Sequence, residues 1–295
     1  MANTIALRKE YVNVLDTIYA REALSRILDA NPELVRAGAT ADTVLLPKMT
    51  LQGLADYGRN TGYVDGDVTF EWQTHQFTQD RGRKFVVDTE DNLENAGVII
   101  GNLSSEFIRT KVAPEIDAYR FATLSSKAGN SVSITSITSD NVETYFDNAI
   151  QTMGDAGVDL SSVISFINFE TEKAMKQAKM GIVLNQNAAV DRRVYTLDGV
   201  TLIVVPQTRF YTAIEQVADG DGGYSKDSYD GLDIKMLFVD RNAALGIVKH
   251  TAPKIISSDA NQSADGWIFG YRVYHDLFVP DNKVNGIYLV KGTSW

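Results

Sequence analysis

The stretch from about Asp91 to Ser126 constrains this chain more than any other, because it reads as one unusually long amphipathic helix. Leu93, Ala96, Ile100, Leu103 and Phe107 recur at alternating steps of three and four, and Ile116, Tyr119 and Thr123 continue a stripe beyond them. At about 1.5 Å per residue the element would be on the order of 50 Å long, above the usual helix length. A helix of that length spans something large. Pro114 stands inside it, within the run VAPEIDAYRF, Val112 to Phe121. Proline lacks the N–H that bonds back one turn and its ring crowds the preceding turn, so it kinks or interrupts a helix. One long helix and two ordinary helices meeting at Pro114 both satisfy the pattern.

The 295 residues allow one large domain or two medium ones with a sizeable core. At 44% apolar and 22% charged the chain is globular in composition rather than disordered. A formal net charge of -10 argues against a protein whose task is gripping nucleic acid, which needs clustered Lys and Arg. An acidic wall suits a container for a polyanion, and it equally suits ordinary solubility. The absence of cysteine excludes disulfides, zinc–thiolate sites and cysteine nucleophiles. With no basic-then-apolar leader and no apolar run near 18 residues, the chain is expected to fold in a cytoplasm. No repeat of 20 to 50 residues points to a solenoid or propeller.

Residues 1 to about 42 carry a short amphipathic stretch, Tyr11, Leu15, Ile18 and Ala23, which Asn31-Pro32 breaks. Val44 to Leu51 reads as a strand, with Pro47 suited to an edge position. Tyr57 to Asp67, holding Gly58, Gly62 and Gly66, reads as turn-rich and as a hinge candidate. Thr69 to Gln79 alternates, with Phe70 and Trp72 on one face and Glu71, Gln73 and His75 on the other. Asp80-Arg81-Gly82-Arg83 is expected to turn the chain back into Lys84 to Asp88. Residues 43 to 90 then form a protruding ribbon with few partners of its own, and an isolated two-stranded ribbon is marginal in water.

Further on, Ser125 to Ser139 reads as an exposed strand or loop. Asp140 to Glu143 resembles a capping box opening a helix through Met153, with Tyr145, Phe146, Ala149 and Ile150 inward and Gly154 and Gly157 at its end. Val163 to Ile167 reads as a buried strand, followed by a helix from Phe169 to about Lys179. Arg193 to Val205 reads as a hairpin around Asp198-Gly199. Asp219 to Asp233 reads as a surface loop, and Ile234 to Val239 and Ala244 to His250 as strands. The mixture is α+β.

Few residues invite a chemical role. His75, His250 and His275 lie far apart and in no metal-ligand spacing, so each is read as structural or solvated. No nucleophile elbow, phosphate loop or dinucleotide fingerprint is present. Asp88, Glu90, Asp91 and Glu94 cluster where the long helix starts, and stabilising a helix N-terminus by roughly 0.3 to 1 kcal/mol each explains them better than a metal does. Asp219 to Gly223, DGDGG, lacks the alternating ligands and terminal Glu of a calcium loop.

Three stretches, in their order and spacing, resemble the major capsid proteins of tailed bacteriophages, the Hong Kong 97-type fold. DRGRKFVVDTED, Asp80 to Asp91, resembles that family's descending E-loop strand entering its spine helix. VAPEIDAYRF resembles the middle of the spine, and YRVYHDLFVPDNKVNGIY, Tyr271 to Tyr288, the closing strands. The likeness covers nearly the whole chain. It implies an N-terminal arm (1–42), an E-loop β-hairpin (43–90), a P domain with the spine helix (91–135), an A domain (136–255) and return strands to the P domain (256–295).

The implied function is that of a major capsid protein of a tailed double-stranded DNA bacteriophage or prophage. Pentamers and hexamers would tile an icosahedral shell, with arm and ribbon covered by neighbouring subunits. No catalytic, cofactor-binding or metal residue and no cofactor is implied. The implied partners are further copies of the chain, a separate scaffolding protein in place of a fused scaffolding segment, a portal, and packaged DNA without sequence-specific contacts. A decoration protein is a further candidate and a membrane is not. The implied location is the virion capsid, assembled in the bacterial host cytoplasm. Arg81, Arg83 and Lys84 are candidates for inter-subunit ion pairs, with solvated charge as the plainer reading.

Some members of the family cross-link an E-loop lysine to an asparagine of a neighbour. The only lysine between Asp56 and Asp88 is Lys84, near the ribbon base, so no such bond is expected. An encapsulin-type bacterial nanocompartment shell is the alternative within the same fold, though the long arm and ribbon favour the phage protein. A soluble α+β hydrolase or carbohydrate-binding protein using Trp72 and Trp267 is the alternative outside it, and the lack of a convergent His/Asp/Ser set counts against the hydrolase.

Overall fold

The computed structural model describes residues 22–29, 36–37, 42–59, 62–88, 98–178, 183–184, 190–191, 195–218, 220–261 and 265–293. In chain order the main elements are β1 (Thr43–Leu51), β2 (Val68–Gln76), β3 (Gln79–Asp88), the long helix α1 (Val98–Ser126) and β4 (Asn130–Ile134). They continue with α2 (Val142–Asp155), β5 (Val163–Asn168), α3 (Phe169–Gln177), β6 (Val200–Val205), β7 (Ile234–Asp240), β8 (Leu245–Thr251), β9 (Gly266–Phe278) and β10 (Ile287–Gly292).

α1 runs through Pro114 without a break. Val98–Phe107 and Ala113–Ser126 are α-helical, and Ile108–Val112 between them is a π turn. Phe107, Val112 and Ala113 keep right-handed helical backbone, and the Ala113 N–H donates five residues back to the Ile108 carbonyl. A turn closed over five residues holds one more than an α turn, which moves the carbonyl that the Pro114 ring would otherwise strike. The alternative of two helices is thereby excluded, while the expected start near Asp91 lies outside the described residues. The described rod is about 43 Å long. Its first half packs Ile108, Val112 and Ile116 on Phe269, Tyr271 and Val273 of β9. Its second half packs Phe121 and Leu124 on Ile164, Phe166 and Leu237 of another sheet.

That second sheet has the order β4, β10, β7, β5, β6 and then the short strand Thr196–Leu197. β4 runs parallel to β10 and β5 parallel to β6, while β7 is antiparallel to both β5 and β10. Both faces are covered, so its central strands read as continuous apolar runs instead of alternating. On one face lie Phe146, Ala149 and Met153 of α2 with Ala174 and Met175 of α3; on the other lies the second half of α1. The Asp198-Gly199 turn forms as expected, with φ of 48° and 83° and Leu197 opposite Val200. The capping box does not: Asn141 is the N-cap of α2, and its Oδ1 accepts from Thr138 N, outside the helix.

β3 is not the ribbon's return strand. It pairs with β9 over its whole length, from Asp88 opposite Gly266 to Gln79 opposite His275, so Asp80–Arg83 is strand and no turn. Gly82, which suggested a turn, instead permits a close approach of chains, since a Cβ there would stand 2.9 Å from the Tyr271 carbonyl. β2 is the return strand, in register with β1 from Thr43 opposite Gln76 to Leu51 opposite Val68. Pro47 lies beyond the reach of the short outer strand Arg36–Ala37, which covers only Val44 and Leu45.

Two further strands are placed by their pairings. β8, read with residues 136–255, pairs with β9 beside β3 and Lys254–Ile256. β10, read with the return strands, lies inside the six-stranded sheet between β4 and β7. A pairing between strands as far apart in sequence as β10 and β4 leaves no local signature.

Candidate assembly surfaces

The ribbon is built with one open face. Its register sets Pro47 opposite Trp72, Met49 opposite Phe70 and Leu51 opposite Val68, and strand alternation brings all six to the same side. Every one is exposed. The Phe70 and Trp72 rings meet edge to face at 5.5 Å. Lys48 opposite Glu71 and Thr50 opposite Thr69 make the other side polar. Past the strands, Leu54 and Tyr63 stand at 107% and 89% exposure, so the apolar surface continues toward the tip. The proposed hinge at Gly58–Gly66 is a closed turn where it is described: Gly58 and Gly62 exchange two backbone hydrogen bonds at 2.8 and 3.2 Å.

The base of the ribbon is anchored. Val44, Leu46, Phe77 and Phe278 form a buried cluster, and the His75 ring lies 5.3 Å from that of Phe278. His75 is therefore half-buried, and burial lowers its pKa from the ordinary histidine value. A solvated position on the polar face does not describe it.

A second junction is made by one turn of α1, inside VAPEIDAYRF. Asp117 is fully buried and accepts from Leu24 N at 3.0 Å, Ser25 N at 2.9 Å, Ser25 Oγ at 2.6 Å and Arg209 Nη1 at 2.9 Å. Arg120, also fully buried, pairs its Nη2 with Asp29 Oδ1 at 2.7 Å and donates from Nη1 to the Ser25 carbonyl at 3.2 Å. The turn Leu24–Leu28, with Leu28 buried against the six-stranded sheet, is thus bolted to the helix by charge.

Gly246 bridges to Asp29, and a Cβ there would stand 3.1 Å from the Arg120 Cζ and 3.2 Å from Asp29 Oδ1. Gly246→Val is expected to spread this pair and lower stability by about 1 to 3 kcal/mol. The readout is a lower denaturant midpoint at unchanged slope; an unchanged midpoint would show that the pair relocates freely.

His275 sits beside this junction, 2% exposed, its ring edge-on to Tyr119 at 5.6 Å. Burial, with the positive charge of Arg120 nearby, pulls its pKa down to about 3, so the folded protein holds it neutral. Below the ordinary histidine value the unfolded chain takes up a proton that the fold refuses. Its contribution is therefore complete above about pH 6.5 and is lost as pH falls toward 3. His275→Gln is expected to flatten the pH dependence of stability by up to about 1.4 kcal/mol per pH unit between about pH 6 and 4.5. Parallel curves for the two proteins would refute this.

No family model matches the chain, and no curated protein matches its sequence. Its three-dimensional form does have counterparts. A structure from Mycobacterium phage Che8 superposes with a TM-score of 0.63 at 12% identity, covering 91% of this chain and 90% of that one. The capsid structure of the cyanophage P-SCSP1u gives 0.60 at 10% identity over 88% and 86%. A virus-like particle from Pyrococcus furiosus gives 0.54 at 10% identity over 94% and 96%. The chain has the Hong Kong 97-type capsid fold.

Within the Hong Kong 97-type fold the other singled-out residues find plain places. Arg81 and Arg83 bind within their own chain: Arg81 Nε meets Glu115 Oε1 of α1 at 2.7 Å, and its Nη2 donates to the Val217 and Gly223 carbonyls. Arg83 donates to the Gly220 and Asp221 carbonyls, both at 2.6 Å. The two guanidinium groups hold the glycine-rich loop against β3 within one chain, so neither is simply a solvated charge. Lys84 is exposed opposite Gly270. Asp88 ends β3, whereas Glu90, Asp91, Glu94 and Asp219 lie outside the described residues. His250 is in β8, far along the chain from His75 and opposite Tyr274.

Proposed function

We propose that this chain is the major capsid protein of a tailed double-stranded DNA bacteriophage or prophage, assembling as pentamers and hexamers into an icosahedral shell around the genome. The observation that carries the proposal is the open apolar face of the ribbon, Pro47, Trp72, Met49, Phe70, Leu51 and Val68, on a chain with a capsid fold. A contiguous exposed apolar face marks a surface that something else covers. In a closed shell each such contact is repeated by symmetry, so modest contacts accumulate.

The role is structural rather than enzymatic, in the virion after assembly in the host cytoplasm. A separate scaffolding protein and a portal are partners, a decoration protein is a further candidate, and a net charge of -10 keeps the enclosed DNA from adhering to the wall. Among the described residues no helix is long and apolar enough to cross a membrane, and no group of three or more His, Cys, Asp or Glu could hold a metal ion. No isopeptide cross-link is part of the proposal, because Lys84 lies in β3, away from the ribbon tip.

A second reading is an encapsulin-type bacterial nanocompartment shell of the same fold, which is less supported than the first by the likeness to phage structures. Electron microscopy and light-scattering mass, on the chain expressed with and without its genomic neighbours, test both. Closed shells protecting DNA from nuclease support the phage protein, closed shells enclosing a protein cargo support the nanocompartment, and a monomer under every condition refutes both.

A further inference from the structure

The backbone passes from the ribbon's return strand to the body through two residues. β2 pairs with β1 alone among the described strands and β3 pairs with β9, so no ladder joins β2 to β3. Phe77 and Thr78 carry the chain from one to the other, and they do so in two different ways.

Phe77 is a plug. Its side chain is buried with Val44, Leu46 and Phe278, its ring 5.3 Å from that of Phe278 and 5.1 Å from that of Tyr274. Apolar contact is not directional, so a socket of this kind holds its occupant over a range of angles. Thr78 is tied in one direction. Its N–H at 2.8 Å and Oγ1 at 3.0 Å both donate to Asp276 Oδ2, while Tyr119 of α1 donates to Asp276 Oδ1 at 2.7 Å. Leu277 N adds a bond to the same Oδ1 at 2.8 Å. Asp276 is 3% exposed and all four of these donors are neutral. Hydrogen bonds to a carboxylate are stronger than neutral ones and weaken steeply off axis, so they define an angle where the socket does not. An ion pair from ribbon to body, Lys48 to Asp281 at 3.9 Å, is long and exposed at Asp281, and contributes little.

We propose that Phe77 and Thr78 are the pivot of the ribbon and that the Asp276 carboxylate is the clasp that fixes the ribbon's angle to α1. Asp276 and Tyr119 are then positioning residues: they decide where the open apolar face points without belonging to it. The pivot stands on geometry alone, whereas its consequence for assembly rests on the capsid reading.

The chain has no cysteine, so introduced ones are unique labels. Spin labels at Thr50→Cys, on the polar side of the ribbon, and Thr144→Cys, on α2, report their separation by pulsed electron paramagnetic resonance in the full-length chain before assembly. One narrow distance is expected. Asp276→Ala is expected to broaden the distribution at least twofold and to leave a body pair, Thr144→Cys with Lys254→Cys, unchanged. Should that variant fail to fold, Tyr119→Phe combined with Thr78→Val removes the two hydroxyl donors, keeps the carboxylate on its backbone donors, and is expected to broaden the ribbon distance in the same sense. An unchanged width in a folded variant overturns the proposal, as does equal broadening of the body pair or a parent chain that already shows several distances. A chain that behaves as expected here yet never forms particles keeps the pivot and loses the capsid reading.

Discussion

Asp117→Ala is expected to cost about 3 to 5 kcal/mol of stability, the range for breaking a buried charge pair by deleting one partner, and to free the Leu24–Leu28 turn from α1. The carboxylate is fully buried and gathers four donors, two of them backbone N–H groups of that turn. Its removal strands those groups and leaves the Arg209 guanidinium facing a vacated site. Arg109→Ala is the control, since Arg109 pairs with Glu106 three residues away on the exposed side of the same helix. That loss is expected to be small, because a solvent-screened surface pair adds little to stability. Chemical denaturation compares the two, and amide exchange at residues 22–29 shows whether the turn lets go. Equal midpoints for the two variants would mean that the buried network adds nothing over a surface pair.

Placing aspartate at both Leu51 and Phe70 is expected to leave the unassembled chain about as stable as its parent, within about 1 kcal/mol, and to abolish particle formation. Both side chains are more than half exposed, so the fold itself has little to lose. A neighbour covering the face would have to bury two unpaired charges, which costs several kcal/mol at every copy of the contact. Thermal melting of the unassembled chain and particle yield by sedimentation read the two effects separately. A large drop in melting temperature would assign the face to the chain's own core, and undiminished particles would remove it from the interface.

Periodicity carried most of what could be read in advance, because it is local. The helix stripe, the alternation of Phe70 and Trp72 against Glu71 and Gln73, and the Asp198-Gly199 turn are each set by neighbours within a few residues. The π turn has no residue signature, and Pro114 alone was compatible with a break. β3 departs from the expected turn because Gly82 signals a turn as readily as a close strand contact, and only the distant Tyr271 decides between them. The junction at Asp117 and Arg120 left a legible trace: two charges three residues apart among Ile116, Ala118, Phe121 and Leu124, all of them buried. The stripe Ile116, Tyr119 and Thr123 contains neither charge, and of its three residues only Ile116 belongs to the fully buried face.

The π turn also has a consequence for how the two sheets are set against each other. One added residue in a turn rotates everything before it relative to everything after it by about 100°. Ile108 and Val112 meet β9, and Phe121 and Leu124 meet the six-stranded sheet, at angular phases that include this offset. The winding of a single rod thus records the mutual orientation of the two sheets, and Ile108–Val112 is where that orientation is indexed.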